Sequence, residues 1–283
     1  MMHDKGRALA TLEQCGLRVP PTVQALARDL LGLSSFGSGF NGKSVYLRAV
    51  RAAGQPRLTR VIPMQSWCHA FTRLVDEAHV AGDEQVILQP VVSCDLGGAS
   101  CIVGGACYSE VASGLPMGLL RFGRLGGAVL SDENAAVIDE VRCSQDVRWT
   151  VNKDGMIGRC PVAVSGSAGA GYDAERRAVR LIRSSRLSGI FEWGLAGGEI
   201  IFFDYKDLNG PPPHFLENRS LTLPSWVSVP DAMEGLLRVE LPELTQLDEA
   251  ILHGGARVDH GARLSHLSMY LLERRASCVF GGW

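Results

Sequence analysis

The chain has 283 residues, 46% of them hydrophobic and 20% charged, with 28 basic against 30 acidic side chains and a net charge of −2. That length can enclose a sizeable core in one large or two modest domains, and the composition excludes a disordered chain. The charge balance excludes bulk electrostatic attraction to nucleic acid or to an anionic membrane. No apolar run approaches the roughly 18 residues a membrane span needs, and no apolar region follows the start, so a cytoplasmic protein is expected. The eight cysteines form no C-x-x-C pair and no finger-like spacing, the pattern of buried thiols in a reducing compartment.

In chain order, residues 5 to 16 read as a helix, with Ala8, Leu9, Leu12 and Cys15 on one face and Gly16 as its stop. Val23, Leu26, Ala27, Leu30 and Leu31 then recur at helical spacings. "GSGFNGKS" (37–44) matches the P-loop spelling G-x-x-x-x-G-K-[ST]. A P-loop needs a buried strand leading in and a helix leading out, so that backbone N–H groups converge on phosphate. The helical pattern before the motif supplies no such strand. "VYLRAVRAA" after it reads equally as strand or helix.

A second helix holds Trp67, Phe71, Leu74 and Val75 on one face, with Gly82 ending it. "QVILQPVV" (85–92) is a buried strand with a central Gln89. "GGASCIVGGACYSEVA" reads as a hairpin whose glycines let something approach closely. "ERRAVRLIRSSRL" (175–187) is a basic amphipathic helix with its arginines on a solvated face. "GIFEWGLAGGEIIFFDYKDL" is two strands around a tight Gly-Gly turn. The prolines of "NGPPPH" (209–214) mark a boundary between a main domain, residues 1–210, and a small C-terminal domain, 215–283. The small domain is expected to hold a strand, a Gly pair and a helix from Ser265 to Arg274.

Two constellations carry chemistry. Glu192 and Asp204 lie on the paired strands, and two hard oxygen donors suit Mg²⁺, which takes a few carboxylates plus substrate phosphates. Lys206 follows Asp204 by two residues on the same face of an extended strand, placed to neutralise a phosphate. A surface hairpin with ordinary charges fits the same spacing. His266, just inside a helix start, is a competent phosphoryl acceptor when neutral, or a locally hydrogen-bonded residue. Zinc binding by His253, Asp259, His260 and His266 is disfavoured, because spacings of seven and six fit no common site.

At these residues the sequence resembles the phosphoenolpyruvate-utilising dikinases: phosphoenolpyruvate synthase, pyruvate phosphate dikinase, rifampin phosphotransferase and the glucan water dikinases. "KGRALATLEQCGLRVPPT" is similar to their opening, "VYLRAV" with "AGQPRLTRV" to their Arg-Ser-Ser strand and loop, and "VILQPVVSCDLGGASCIV" to their Gln strand. "YSEVASGLPMGLL" is similar to their Glu–Gly segment, "GIFEWGLAGGEIIFFDYKDL" to their Asp-Ile-Glu-Trp hairpin, and "ARLSHLSMYLLERRASCVFGG" to their phosphohistidine segment. The sequence departs from the pattern where "RAV" replaces Arg-Ser-Ser, Asp204 replaces Gln and Lys206 replaces Arg.

The resemblance implies an α/β protein: an ATP-grasp fold followed by a small swivelling phosphohistidine-like domain. It implies that Lys5 and Arg48 contact ATP phosphates, that Lys43 touches ATP as part of an ATP-grasp lobe, that Gln89 lies near the adenine-side strand, and that Glu110 lies in the nucleotide cleft. Glu192 and Asp204 would hold Mg²⁺, and His266 would carry a phosphoryl group from ATP to a small-molecule acceptor, assisted by Lys206. Two other readings of the same residues are an ATP-grasp ligase or direct kinase in which His266 is structural, and a non-catalytic nucleotide-binding protein. Neither nucleic acid nor membrane is an expected partner.

Overall fold

The computed structural model describes residues 5–31, 44–50, 56–64, 67–77, 80–162, 168–208, 225–228, 237–239, 246–258, 262–273 and 277–280. The P-loop-like residues 37–43, Lys43 among them, the prolines of 209–214, Asp259 and His260 lie outside these. The elements in chain order are α1 (Lys5–Gln14), β1 (Val23–Leu26), α2 (Ala27–Leu30), β2 (Ser44–Val50), β3 (Pro56–Pro63), α3 (Trp67–Glu77) and β4 (Gln85–Pro90). There follow β5 (Leu96–Val103), β6 (Ala106–Ser113), α4 (Met117–Leu120), β7 (Gly127–Ser131), β8 (Val137–Arg142), β9 (Val147–Val151), β10 (Ile157–Pro161) and α5 (Ala168–Ser185). The last are β11 (Gly189–Ala196), β12 (Glu199–Asp207), β13 (Ser225–Ser228), β14 (Leu237–Val239), α6 (Leu247–Leu252), β15 (Gly255–Val258), α7 (His266–Glu273) and β16 (Ser277–Phe280).

Two compact units arise. The first comprises Met1–Ser93, Thr150–Arg159 and Ile201–Lys206; the second comprises Cys94–Trp149, Cys160–Ile200 and Asp207–Trp283. The units therefore do not divide at the triple-proline boundary. The physical reason is a shared core: Ala99, Tyr108, Leu119 and Ala128 of the second unit's antiparallel strands pack in one cluster with Ala250, Val258, Leu264 and Leu267 from the C-terminal residues.

In the first unit an antiparallel sheet runs β1-β4-β2-β3. Val45, Leu47 and Ala49 alternate on β2, as Val86 and Leu88 do on β4, so one face is apolar. Helix α3 covers it, with Trp67 and Phe71 stacked at 4.8 Å. The opposite face carries Tyr46, Arg48 and Gln89. Helix α1 ends as the sequence predicts: Gly16 sits at φ 75, its N–H reaches Glu13 O and the Leu17 N–H reaches Leu12 O, a paired cap that satisfies two orphan carbonyls. The pattern over Val23–Leu31 resolves differently. Val23–Leu26 is a strand paired with β4, and only Ala27–Leu30 is helical. Strand pairing along 23–26 overrides the local period. Ser44 opens strand β2 rather than a helix, so the P-loop spelling lacks the helix N-terminus its chemistry requires.

In the second unit β11, β5, β6, β7 and β8 pair antiparallel in that order. Helix α5 packs on one face through Ala174, Ala178, Val179 and Ile182. Against the other face lies the C-terminal layer, a β13-β16-β15-β14 sheet in which β14, β15 and β16 are parallel and β13 is antiparallel to β16. Helices α6 and α7 make the crossovers that parallel neighbours require. The arginine face of α5 is only partly solvated. Arg176, Arg177 and Arg180 are exposed, but Arg183 donates to Glu133 O at 2.8 Å, Asp132 O at 2.5 Å and Gly105 O at 3.2 Å, clamping two hairpin turns.

The Gly97–Gly98 pair shows what its close approach serves. Gly98 faces Trp193 across the β5–β11 pairing, and a Cβ there would occupy the indole's place. Trp193 is fully buried and donates Nε1–H to Ser100 Oγ at 3.0 Å. We predict that Gly98→Ala overpacks this site and lowers unfolding stability by about 1–3 kcal/mol. Gly158→Ala, where no atom lies within 4 Å of the added Cβ, should change it by less than about 0.5 kcal/mol. Urea denaturation of the two variants measures both, and equal midpoints would refute the packing account.

Candidate functional site

The sheet of the first unit places two predicted nucleotide ligands, Arg48 and Gln89. Arg48 donates to Gln89 Oε1 at 2.6 Å and lies 5.3 Å over the Tyr46 ring. Gln89, buried, donates in turn to Thr22 Oγ1 at 3.1 Å. Register explains the grouping: β2 and β4 pair Tyr46 with Gln89, one step from Arg48. Lys5, at the start of α1, is buried, and its Nζ lies 2.5 Å from Asp204 Oδ2. The other Asp204 oxygen accepts the Tyr205 N–H at 2.8 Å. The sequence assigned Lys5 to phosphate and Asp204 to metal. The structure makes them partners in an ion pair, a relation that 199 residues of separation hide. Lys206 is half-buried two residues further along β12.

The second unit places the rest. His266 is the first residue of α7, and Ser265 caps that helix. The Ser265 Oγ accepts the Ser268 N–H at 3.4 Å and lies 2.8 Å from Ser268 Oγ. His266 Nε2 stands 3.4 Å from Glu192 Oε1, both side chains half-buried. Glu192 thus faces a histidine from the C-terminal layer. Asp204, the other predicted metal ligand, is counted in the first unit with Lys5. Among the described residues no group of three or more His, Cys, Asp or Glu side chains converges as a metal cage.

Glu110 is fully buried. Its Oε1 accepts the Tyr108 O–H at 2.6 Å and the Arg263 N–H at 2.5 Å, and its Oε2 accepts the Leu264 N–H at 2.9 Å. The Arg263 guanidinium lies 5.9 Å from the Tyr108 ring centre. Burial raises the Glu110 carboxyl most, while the three hydrogen bonds and the Arg263 charge oppose it, leaving it at about 7. On the α5 side, burial likewise brings Glu175 to about 7, against a hydrogen bond from Ser109 and the charges of Arg176 and Arg183. The sequence marks Glu110 but not Tyr108, Arg263 or the backbone of Leu264. A signal existed for Tyr108, two residues before Glu110 on the same strand face. None existed for an amide 154 residues away.

No protein-family model and no curated protein sequence matches the chain. Solved structures similar to it include several ligases. The D-alanine–D-alanine ligase of Helicobacter pylori shares 11% identity at a TM-score of 0.39, over 76% of this chain and 59% of that one. The enzyme of the same name from Bacillus anthracis shares 10% at 0.36, over 72% and 56%. The ATP-grasp ligase PsnB complexed with a minimal precursor shares 12% at 0.34, over 71% and 51%. These neighbours are not phosphoenolpyruvate-utilising dikinases, and the assignment to that family is corrected accordingly. The chain spans little more than half the length of these ligases, and a likeness this distant assigns neither substrate nor reaction. Among the described residues no helix is long and apolar enough to cross a membrane.

Two predictions follow from the buried charges. Glu110 and Glu175 bind protons more tightly folded, at about 7, than at their ordinary value of 4.5. A carboxyl raised in the folded state gives stability that is full below 4.5 and lost as pH rises through about 7. Thermal unfolding at matched ionic strength should therefore show Tm falling between pH 5 and 7.5, with a shallower fall in Glu175→Gln; a Tm rising through that window would contradict it. Separately, Lys5→Met and Asp204→Asn should each destabilise by about 3–5 kcal/mol by stranding a shielded charge or its partner, and the double variant should lose clearly less than the sum. Additive losses would mean the pair is not coupled.

Proposed function

We propose that the chain is a Mg-ATP-dependent enzyme of the ATP-grasp ligase kind, in which His266 is structural. The γ-phosphoryl group of ATP passes directly to an acceptor carboxylate, forming an acyl phosphate and ADP. A second substrate's nucleophile then attacks the acyl carbon and expels phosphate. The observation that carries this reading over a histidine relay is the 3.4 Å approach of His266 Nε2 to the Glu192 carboxylate. A phosphoryl group on that nitrogen would set two negative oxygens or more against a third, whereas a hydrogen-bonded imidazole suits the same place.

ATP and Mg²⁺ are the cofactors of this reading. Arg48, already oriented by Gln89, and Lys5 supply cations for phosphate oxygens. Glu192 and Asp204 would each offer a hard oxygen donor of the kind Mg²⁺ takes alongside phosphates. Mg²⁺ supplies neutralisation of the charge on the transferring group. Lys5, held by Asp204 here, would be the cation nearest a phosphate bound beside that carboxylate. Lys43 and Lys206 remain the further cations of this reading, and the acceptor is a small molecule.

The test is the nucleotide product. After prolonged incubation with Mg-ATP and a panel of amino acids and short peptides, chromatography should find ADP and phosphate, with no phosphorylated protein by intact mass. His266→Ala should give the same products. Glu192→Gln and Asp204→Asn should each lose about 10²–10³-fold in rate, the size of removing one preorganised electrostatic group. AMP as product, or a mass increase of one phosphoryl group that His266→Ala abolishes, would sink the reading.

A further inference from the structure

The register of the second unit puts two carboxylates on one face of one sheet. Glu192 pairs with Ala99, and Ala99 pairs with Glu110. Cross-strand partners share a face, so Glu192 and Glu110 stand two strands apart, about 10 Å. One short segment of the C-terminal layer meets both. Its beginning, Arg263 and Leu264, donates two successive backbone N–H groups to Glu110, and its end, His266, reaches Glu192. The intervening Ser265 caps α7. The segment between them is a tight turn, in which the Ser265 N–H donates to Ala262 O at 3.3 Å.

We infer that Glu110 is a positioning residue: by gripping the Arg263 and Leu264 amides it fixes the turn that carries His266 against Glu192. The inference rests on the reading of Glu192 and His266 as partners within the proposed site. A helix N-terminus set only by its own cap could pivot about Ser265. Two consecutive amides held on one carboxylate remove that pivot. Both oxygens of the carboxylate are engaged, and Tyr108 fixes its orientation from the same strand. The groups facing it are Tyr108 on β6, Arg263 in the turn, Cys101 on β5 and Cys143 after β8. A carboxylate so enclosed has no free oxygen for a nucleotide, so its work is done on the protein backbone.

The experiment reads the histidine's placement without turnover, so an inactive enzyme is distinguished from a misplaced side chain. In full-length protein labelled with ¹⁵N-histidine, Glu192→Gln should shift the His266 ring ¹⁵N resonances of the parent. In a Glu110→Gln background with unchanged circular dichroism, the same Glu192→Gln change should leave them in place. Tyr108→Phe, which keeps both amide bonds, should retain the parent response. A Glu110→Gln protein whose His266 spectrum and response match the parent overturns the inference. If Glu110→Gln does not fold, amide exchange in the parent decides instead. The Arg263 and Leu264 N–H groups should exchange at least about 100-fold more slowly than unstructured amides, and exchange at the unstructured rate overturns the inference.

Discussion

A carboxylate with no exposure to water dominates the second unit. Taking Glu110 out of solvent costs several kcal/mol unless hydrogen bonds replace the lost hydration. The strand that carries it supplies one donor, Tyr108. The remaining two come from a turn more than 150 residues later in the chain. The sheet and the C-terminal layer are therefore held together by more than apolar contact. Leu264 and Leu267 would pack against Ala99 and Tyr108 in several registers, but only one register presents two adjacent amides to two carboxylate oxygens. Apolar burial supplies the bulk of the attraction, and the carboxylate selects the arrangement.

The same economy governs the α5 side of the sheet. Ser100 and Ser109 face one another at 2.9 Å, and the Trp193 indole joins them through Ser100. The indole fits because Gly98 leaves space beside it. Arg183 reaches across to three carbonyl oxygens at the ends of neighbouring strands. Here side chains of fixed geometry pair with one another and with strand-end carbonyls, which holds strand ends as well as strand centres in register.

In the first unit the cations come already engaged. Arg48 is aimed by Gln89 and Tyr46, and Lys5 is neutralised by Asp204. An anion approaching Arg48 meets a guanidinium whose rotamer is set, so little side-chain entropy is lost on binding. An anion approaching Lys5 competes with a carboxylate at 2.5 Å.

Local sequence determined the elements whose signals are local. The Gly16 stop, the α3 face of Trp67 and Phe71, the Gln85–Pro90 strand, the hairpins and the helix at His266 all follow from period, turn glycines and a Ser cap, which act within a few residues. Val23–Leu26 was misread because its helical spacing is local while its pairing with β4 is not. The arginines of α5 looked solvated because nothing in "RRAVRLIRSSRL" announces that Arg183 meets carbonyls of residues 105, 132 and 133. The sequence also marked Lys5, Arg48, Gln89, Glu110, Glu192, Asp204 and His266 as residues of interest. Their pairings were decided by the tertiary structure alone: Lys5 with Asp204, Arg48 with Gln89, Glu192 with His266, and Glu110 with the amides of Arg263 and Leu264. The reason is physical. A side chain's type shows which partners it can satisfy, but a buried charge takes the partner that folding brings within hydrogen-bonding distance, and for Glu110 that partner is backbone, which no side-chain pattern encodes.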